Sequence, residues 1–122
     1  MKLSVKVVEG VDVLTPHGMI FGGNETDELQ NKIKELDQTG NTKLLINLGQ
    51  TTMMNSLGLG ALFVAHAKYS KRGGTVKLCC VDKKIQQIFV IVRLALVYGD
   101  NIHDTEAEAL ASFRTMEAAP SR

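Results

Sequence analysis

The chain has 122 residues and a formal net charge of +1; 44% of the residues are hydrophobic and 22% are charged. This length predicts one domain with a modest core, and the composition is that of an ordinary globular protein. The near-neutral charge gives no general electrostatic reason to bind nucleic acid. No segment approaches the roughly 20 apolar residues of a membrane-spanning helix, and the first residues lack the apolar core of a secretory signal. We therefore predict a cytoplasmic protein with no membrane span and no direct nucleic-acid partner.

The first third of the chain predicts a hairpin followed by a helix. Residues 3–7 alternate apolar and polar side chains, which is typical of a half-buried strand, and residues 11–14 predict a second strand after a Gly-containing turn. Pro16 is expected to end that strand. Asn24 is a good helix cap, and Gly40 is the expected end of the helix that follows.

The rest of the chain alternates strands with helices. Apolar runs predict three further strands, and residues with helical spacing predict three further helices. These elements are, in chain order, a strand at 44–46, a helix at about 56–72, a strand at 75–81, a helix capped by Asp82, a short strand near 101–103, and a last helix opened by a Thr105–Glu108 capping box.

This order of elements predicts an α/β fold. Strands and helices that alternate after a hairpin require a mixed, mostly parallel sheet with right-handed crossovers. We expect a single domain over residues 1–116, with about five strands and about four helices. Residues 117–122 are expected to form a flexible tail.

Two adjacent cysteines, Cys79 and Cys80, lie at the end of the predicted strand at 75–81. Side chains of neighbouring residues in a strand point to opposite faces of the sheet. The pair has no metal-ligand spacing and is no obvious disulfide pair, so both residues are predicted to be core or near-core thiols.

The most informative segment follows the strand at 44–46 and opens a helix. In it Ser56 stands between Asn55 and the glycines Gly58 and Gly60. Unpaired backbone N–H groups and the helix dipole favour negative charge at such a position. Ser56 is therefore a candidate to carry a phosphate or to be read by a partner, and the plain alternative is that it caps the helix.

The order of these motifs resembles the STAS domain family, which includes anti-sigma factor antagonists and the cytoplasmic tails of sulfate transporters. The resemblance covers the chain from about Leu3 to Phe113. It rests mainly on the apolar strand at 44–48 followed by Asn-Ser-Leu-Gly-Leu-Gly-Ala-Leu at 55–62, with support from Gly73-Gly74 and from residues 108–110. Family members typically have an Asp-Ser-Ser-Gly-Leu-Gly-like segment at this point.

The resemblance implies a STAS-like fold and a non-enzymatic regulatory module. In the antagonists an anti-sigma factor, itself a serine kinase, phosphorylates the serine that corresponds to Ser56. The unphosphorylated form binds the kinase and frees the sigma factor, whereas the phosphorylated form lets go. The antagonist itself needs no cofactor and no metal, because the ATP is bound by the kinase. Whether the chain also forms a weak homodimer is left open.

Three residues depart from the family pattern. Asn55 replaces the usual aspartate, Leu57 replaces a second serine, and Phe21 stands where an acidic residue is frequent. Asn55 keeps hydrogen-bonding and helix-capping capacity but carries no charge. The predicted partner-binding residues are Phe21, Met54, Asn55, Ser56, Leu57, Gly58 and Leu59.

Specific roles follow within this set. Asn55 is expected to orient the loop, and Gly58 is expected to let the partner backbone come close, because it has no Cβ. Phe21, Met54, Leu57 and Leu59 are candidates for contact or for support of the loop. The orientation of Met53 and Met54 is left open.

Two further functions are weighed against the partner switch. The Asn55 and Phe21 departures favour a docking subunit of a signalling or transport assembly, which would not be phosphorylated. A small hydrolase with Ser56 as nucleophile is the weakest alternative, since His17, His66 and His103 are far apart in sequence and no residue pattern indicates a catalytic triad.

Overall fold

The computed structural model of the chain describes residues 2–81 and 88–118. Within these ranges it contains strands, helices and one short 3-10 turn, Gly99–Asn101. The elements are, in chain order, β1 (Lys2–Val8), β2 (Val11–Ile20), α1 (Asn24–Gln38), β3 (Lys43–Asn47), β4 (Thr51–Met54), α2 (Ser56–Lys71), β5 (Thr75–Cys79), α3 (Ile88–Tyr98), β6 (Ile102–His103) and α4 (Glu106–Ala118).

The predicted α/β class is confirmed, with a mixed, mostly parallel sheet in the order β1-β2-β3-β5-β6 and β4 paired with β2. Only the β1–β2 hairpin is antiparallel; the other described pairings are parallel. The described part of the sheet has six strands rather than about five, because Thr51–Met54 forms β4, which the sequence pattern does not predict. Helices α1 and α2 lie in the connections between the parallel neighbours β2 and β3 and β3 and β5.

Strand β2 runs through Pro16 to Ile20, although Pro16 was expected to end it. Residues Asp12–Leu14 pair with β3, and Gly18–Ile20 pair with β4 after a register shift at Gly18/Met19. Pro16 lies in the gap between these two pairings. A proline, which has no N–H group to donate, is tolerated at such a point of a strand.

The sheet separates two apolar cores. The larger core lies between one face of the sheet and helices α1, α2 and α3. The smaller core lies under α4 on the opposite face. The alternation of β3 decides which core each residue joins, because Leu44 and Ile46 face the larger core and Leu45 faces the smaller one.

The helix ends follow the sequence signals in part. The N-cap of α1 is Gly23 rather than the predicted Asn24, with no side-chain cap bond. At α4 the Thr105 hydroxyl accepts the Glu108 N–H at 3.1 Å, as half of the predicted capping box requires. The predicted Asp82 cap lies outside the described residues. Helix α4 reaches Ala118, so it includes the first two residues of the expected tail.

His103 on β6 faces the smaller core, where its Nε2 atom is buried without a hydrogen-bond partner among the described residues. Burial lowers the pKa of His103 below the ordinary 6.5, and nearby Lys77 lowers it further, against weaker opposing effects of Glu108 and Asp104. The folded state therefore disfavours the imidazolium form.

Acidification is expected to destabilise the fold through His103. The unfolded chain binds a proton here more readily than the folded chain, so the free energy of unfolding falls as pH drops from about 6.5 towards the lower folded pKa. His103→Gln should flatten this part of the pH dependence in urea titrations, and His17→Gln should leave it in place. A His103→Gln variant with the unchanged wild-type slope would contradict the assignment.

Candidate functional site

The candidate site is built where β4 passes into α2. Asn55 has extended backbone angles and is the N-cap of α2, with its Oδ1 accepting the Gly58 N–H at 3.0 Å. Its carbonyl accepts the Leu59 N–H at 2.9 Å. Ser56 is the first helical residue and is exposed. The cap is therefore Asn55 and not Ser56, and the Ser56 side chain is left on the outside of the domain.

Gly58 fixes α2 against the end of β2. It is buried, and a Cβ built on it would lie 2.1 Å from the Ile20 carbonyl oxygen. The same carbonyl accepts the Asn55 N–H at 3.3 Å. Gly58 therefore lets this chain's own backbone come close. This corrects the prediction that Gly58 makes room for a partner backbone.

Three exposed apolar side chains belong to the strands and the helix that meet at the Ser56 turn. Met19 and Met53 are register partners on β2 and β4, and they are 46% and 44% exposed. Leu57 is 66% exposed and rests on Gly22, where a Cβ would lie 2.4 Å from its Cδ1 atom. We call Met19, Met53, Ser56 and Leu57 the Ser56 surface. Exposed apolar patches of this kind often mark interaction sites.

The other predicted site residues lie beneath or beside this surface. Met54 and Leu59 are buried, at 1% and 2% exposure, and belong to the larger core. Their burial fits support of the loop, and the prediction that they contact a partner is corrected. Phe21 is half-buried, and its carbonyl accepts the Thr26 hydroxyl at 2.8 Å. Met19 is not among the predicted site residues, because Pro16 was expected to end the strand in which Met19 lies.

The charges near Ser56 do not oppose an anion at this position. The first turn of α2 contains no acidic residue, and the basic residues of the helix, Lys68 and Lys71, lie in the last turn. The positive end of the helix dipole lies at Ser56, and the Asn55 cap is uncharged. A phosphate on Ser56 would therefore meet no like charge within this turn.

The described residues do not bring a histidine into the hydrogen bonds of this turn. The His17 ring lies 3.0 Å from the Ser4 hydroxyl, and the His66 ring packs 5.3 Å from that of Tyr98. Over residues 2–81 and 88–118, no group of three or more His, Cys, Asp or Glu residues is arranged to hold a metal ion. The hydrogen bonds of the described residues therefore give Ser56 no histidine base.

The helices in the described ranges are either too short or too polar to cross a membrane.

Gly58→Ala is expected to destabilise the domain by about 3 kcal/mol, because the new methyl group meets backbone that has no room to move. Gly60→Ala in the same helical turn is the matched control. A Cβ at Gly60 meets nothing within 4 Å, so this change should stabilise the domain by roughly 0.5–1 kcal/mol. Urea unfolding measures both, and equal stability of the two variants would refute the close packing at Gly58.

Solved structures share this fold. A candidate anti-sigma factor antagonist from Thermotoga maritima, TM1081, is 20% identical with a TM-score of 0.81, over 92% of this chain and 94% of its own. SpoIIAA, a Bacillus cell fate determinant solved in its phosphorylated form, is 19% identical with a TM-score of 0.70, over 93% and 100%. A sulfate transporter family protein from Wolinella succinogenes is 16% identical with a TM-score of 0.73, over 93% of each chain.

The sequence itself matches a family model as well. The match is to the STAS domain and covers residues 2–109, which include the larger core and the whole Ser56 surface. The chain therefore belongs to the STAS domain family.

Proposed function

We propose that the chain is an anti-sigma factor antagonist that binds an anti-sigma factor serine kinase through the Ser56 surface. Phosphorylation of Ser56 controls this partner switch. The observation that carries the proposal is an exposed serine at the start of α2, next in the chain to exposed Leu57, with exposed Met19 and Met53 on the adjoining strands. The chain itself acts as a cytoplasmic, non-enzymatic regulator of transcription.

The apolar side chains supply the affinity of the unphosphorylated form. Leu57 and the two methionines bury apolar area when a partner covers them, and methionine side chains adapt readily to a partner surface. Ser56 is adjacent to Leu57 in the chain, so a partner that binds over Leu57 comes close to the Ser56 hydroxyl.

Phosphorylation acts on the interface rather than on the fold. A phosphate adds about −1.5 to −2 charge units, and the start of α2 accepts that charge without local repulsion. The cost arises when a partner covers the surface, because the phosphate is then desolvated beside apolar groups. The domain keeps its structure and the partner dissociates.

The comparisons support this function without reaching the level of residues. TM1081 is a candidate antagonist, and SpoIIAA is an anti-sigma factor antagonist that has been solved in unphosphorylated and phosphorylated forms. At about a fifth of residues identical, these similarities concern the fold. The assignment to Ser56 rests on its exposure and its position in the turn.

A second candidate function is a docking subunit that is not phosphorylated, in a signalling or transport assembly. Asn55 favours it, because its uncharged side chain is used to cap α2 where family antagonists typically have an aspartate. The similarity to a sulfate transporter family protein fits the same function. In this case the Ser56 surface binds constitutively.

Ser56→Asp is expected to weaken binding to the anti-sigma kinase at least about tenfold, which corresponds to about 1.4 kcal/mol. The carboxylate places a charge in an interface that is otherwise apolar. Ser70→Asp, an exposed position near the other end of the same helix, is the matched control and should bind like wild type. Isothermal titration calorimetry measures all three affinities.

Leu57→Glu tests whether the Ser56 surface is the binding site under either candidate function. It should abolish binding under both, because it removes the most exposed apolar side chain of the surface. If Leu57→Glu abolishes binding while Ser56→Asp and Ser56→Ala bind like wild type, the docking subunit is correct. If neither Leu57→Glu nor Ser56→Asp affects binding, the Ser56 surface is the wrong site.

Phosphorylation itself is tested by intact-mass measurement after incubation with ATP and a lysate of the native host. The switch predicts one added phosphate on the wild type and none on Ser56→Ala. A phosphate that persists on Ser56→Ala would place the modification elsewhere. No phosphate on the wild type, in a lysate that phosphorylates another antagonist, would favour the docking subunit.

A further inference from the structure

The side chains of Cys79 and Cys80 meet, contrary to the prediction that they lie on opposite faces. The Cys80 Sγ–H group donates to the Cys79 Sγ atom at 3.5 Å. Strand β5 ends at Cys79, and Cys80 has a φ of 59°, in the left-handed region that residues other than glycine rarely adopt. This turn breaks the alternation of the strand and brings both sulfur atoms to one side.

The local backbone holds Cys80 in this conformation. The Cys80 N–H donates to the His103 carbonyl at 3.2 Å, and the Cys79 carbonyl accepts the Leu48 N–H at 3.0 Å. A Cβ at Gly49 would lie 3.3 Å from the Cys80 Cβ, so the β3–β4 turn packs against the thiol pair. An unusual φ at a non-glycine residue persists only when its surroundings determine it, and such residues cluster at functional positions.

The two thiols differ in their access to solvent. Cys79 is fully buried in the smaller core, and burial raises its pKa far above the ordinary value. Cys80 is half-buried. Because the thiolate is the reactive form, a dissolved oxidant reacts with Cys80, and Cys79 is positioned to react second.

We propose that Cys79 and Cys80 form a redox-modification site, in which hydrogen peroxide converts the two thiols into a reversible vicinal disulfide. The Cys80 thiolate attacks peroxide, so an O–O bond breaks, an S–O bond forms and, with proton transfer, water leaves; Cys80 becomes a sulfenic acid. The Cys79 sulfur then attacks the Cys80 sulfur, the S–O bond breaks, and a second water leaves with the Cys79 proton. Overall, two thiols lose two electrons and peroxide gains them.

The vicinal disulfide is expected to be easily reduced, because its geometry is strained. Neighbouring Cα atoms across a trans peptide are about 3.8 Å apart, which is shorter than the Cα separation of ordinary disulfides. Strained disulfides are more easily reduced and are the regulatory ones. A bond between neighbours also closes almost no chain, so it lacks the loop entropy by which ordinary disulfides stabilise proteins.

The test is oxidation of the full chain with hydrogen peroxide, followed by mass spectrometry without reduction. The tryptic peptide 78–83 contains both cysteines. It should lose two hydrogen atoms and regain them with dithiothreitol, while the protein remains free of intermolecular disulfides on non-reducing gels. The oxidised protein should unfold at a temperature a few degrees lower than the reduced protein.

Single variants assign the roles of the two thiols. Cys79→Ser should stop at a Cys80 sulfenic acid that dimedone traps, and Cys80→Ser should leave the buried Cys79 unmodified. The proposal is overturned if the wild type accumulates Cys80 sulfinic acid, forms a disulfide between two chains, or does not react. If the disulfide raises the unfolding temperature, the inference that it is strained is wrong.

Discussion

The close contact between the start of α2 and the end of β2 is the constraint on which the candidate site depends. One carbonyl, that of Ile20, accepts the Asn55 N–H and also lies where a Gly58 side chain would have to be. Glycine costs roughly 0.5–1 kcal/mol relative to alanine within a helix, so its presence here reflects the approach of the two backbones. This approach holds the Ser56 turn at the end of the paired strands β2 and β4.

Asn55 shows how one side chain limits what its neighbour does. Because Asn55 supplies the cap oxygen for the Gly58 N–H, the Ser56 hydroxyl is not needed for capping. Ser56 is therefore available for modification without loss of the helix start. Because residue 55 is asparagine where the family typically has aspartate, the negative charge that an aspartate would place beside Ser56 is absent. A phosphate would be better tolerated by this domain than next to an aspartate, and its effect would fall on the partner.

The sequence predicted the α/β class, the order of the elements other than β4 and the position of Ser56 at the start of a helix, because these depend on local periodicity and capping. It missed β4 and the second half of β2, since those residues pair with one another around Pro16 and a register shift. The same pairing decides that Met53 is exposed and Met54 is buried, which no alternation over four residues could show. The thiol contact was missed because the rule for strands does not apply at Cys80, where φ is 59°.

The thiol pair and the Ser56 surface are linked through the chain, but they are held by different strands. The β3–β4 turn touches Cys80 at Gly49 and hydrogen-bonds Cys79 through Leu48. Strand β4, which carries Met53 towards Ser56, is instead fixed to β2: the Gln50 carbonyl accepts the Gly18 N–H at 2.9 Å, and the Thr51 hydroxyl donates to the Pro16 carbonyl at 3.2 Å. A displacement at Cys80 therefore reaches the turn first, and the anchoring of β4 to β2 opposes its spread to the Ser56 surface. The thiol pair and the Ser56 surface are thus held by different sets of hydrogen bonds.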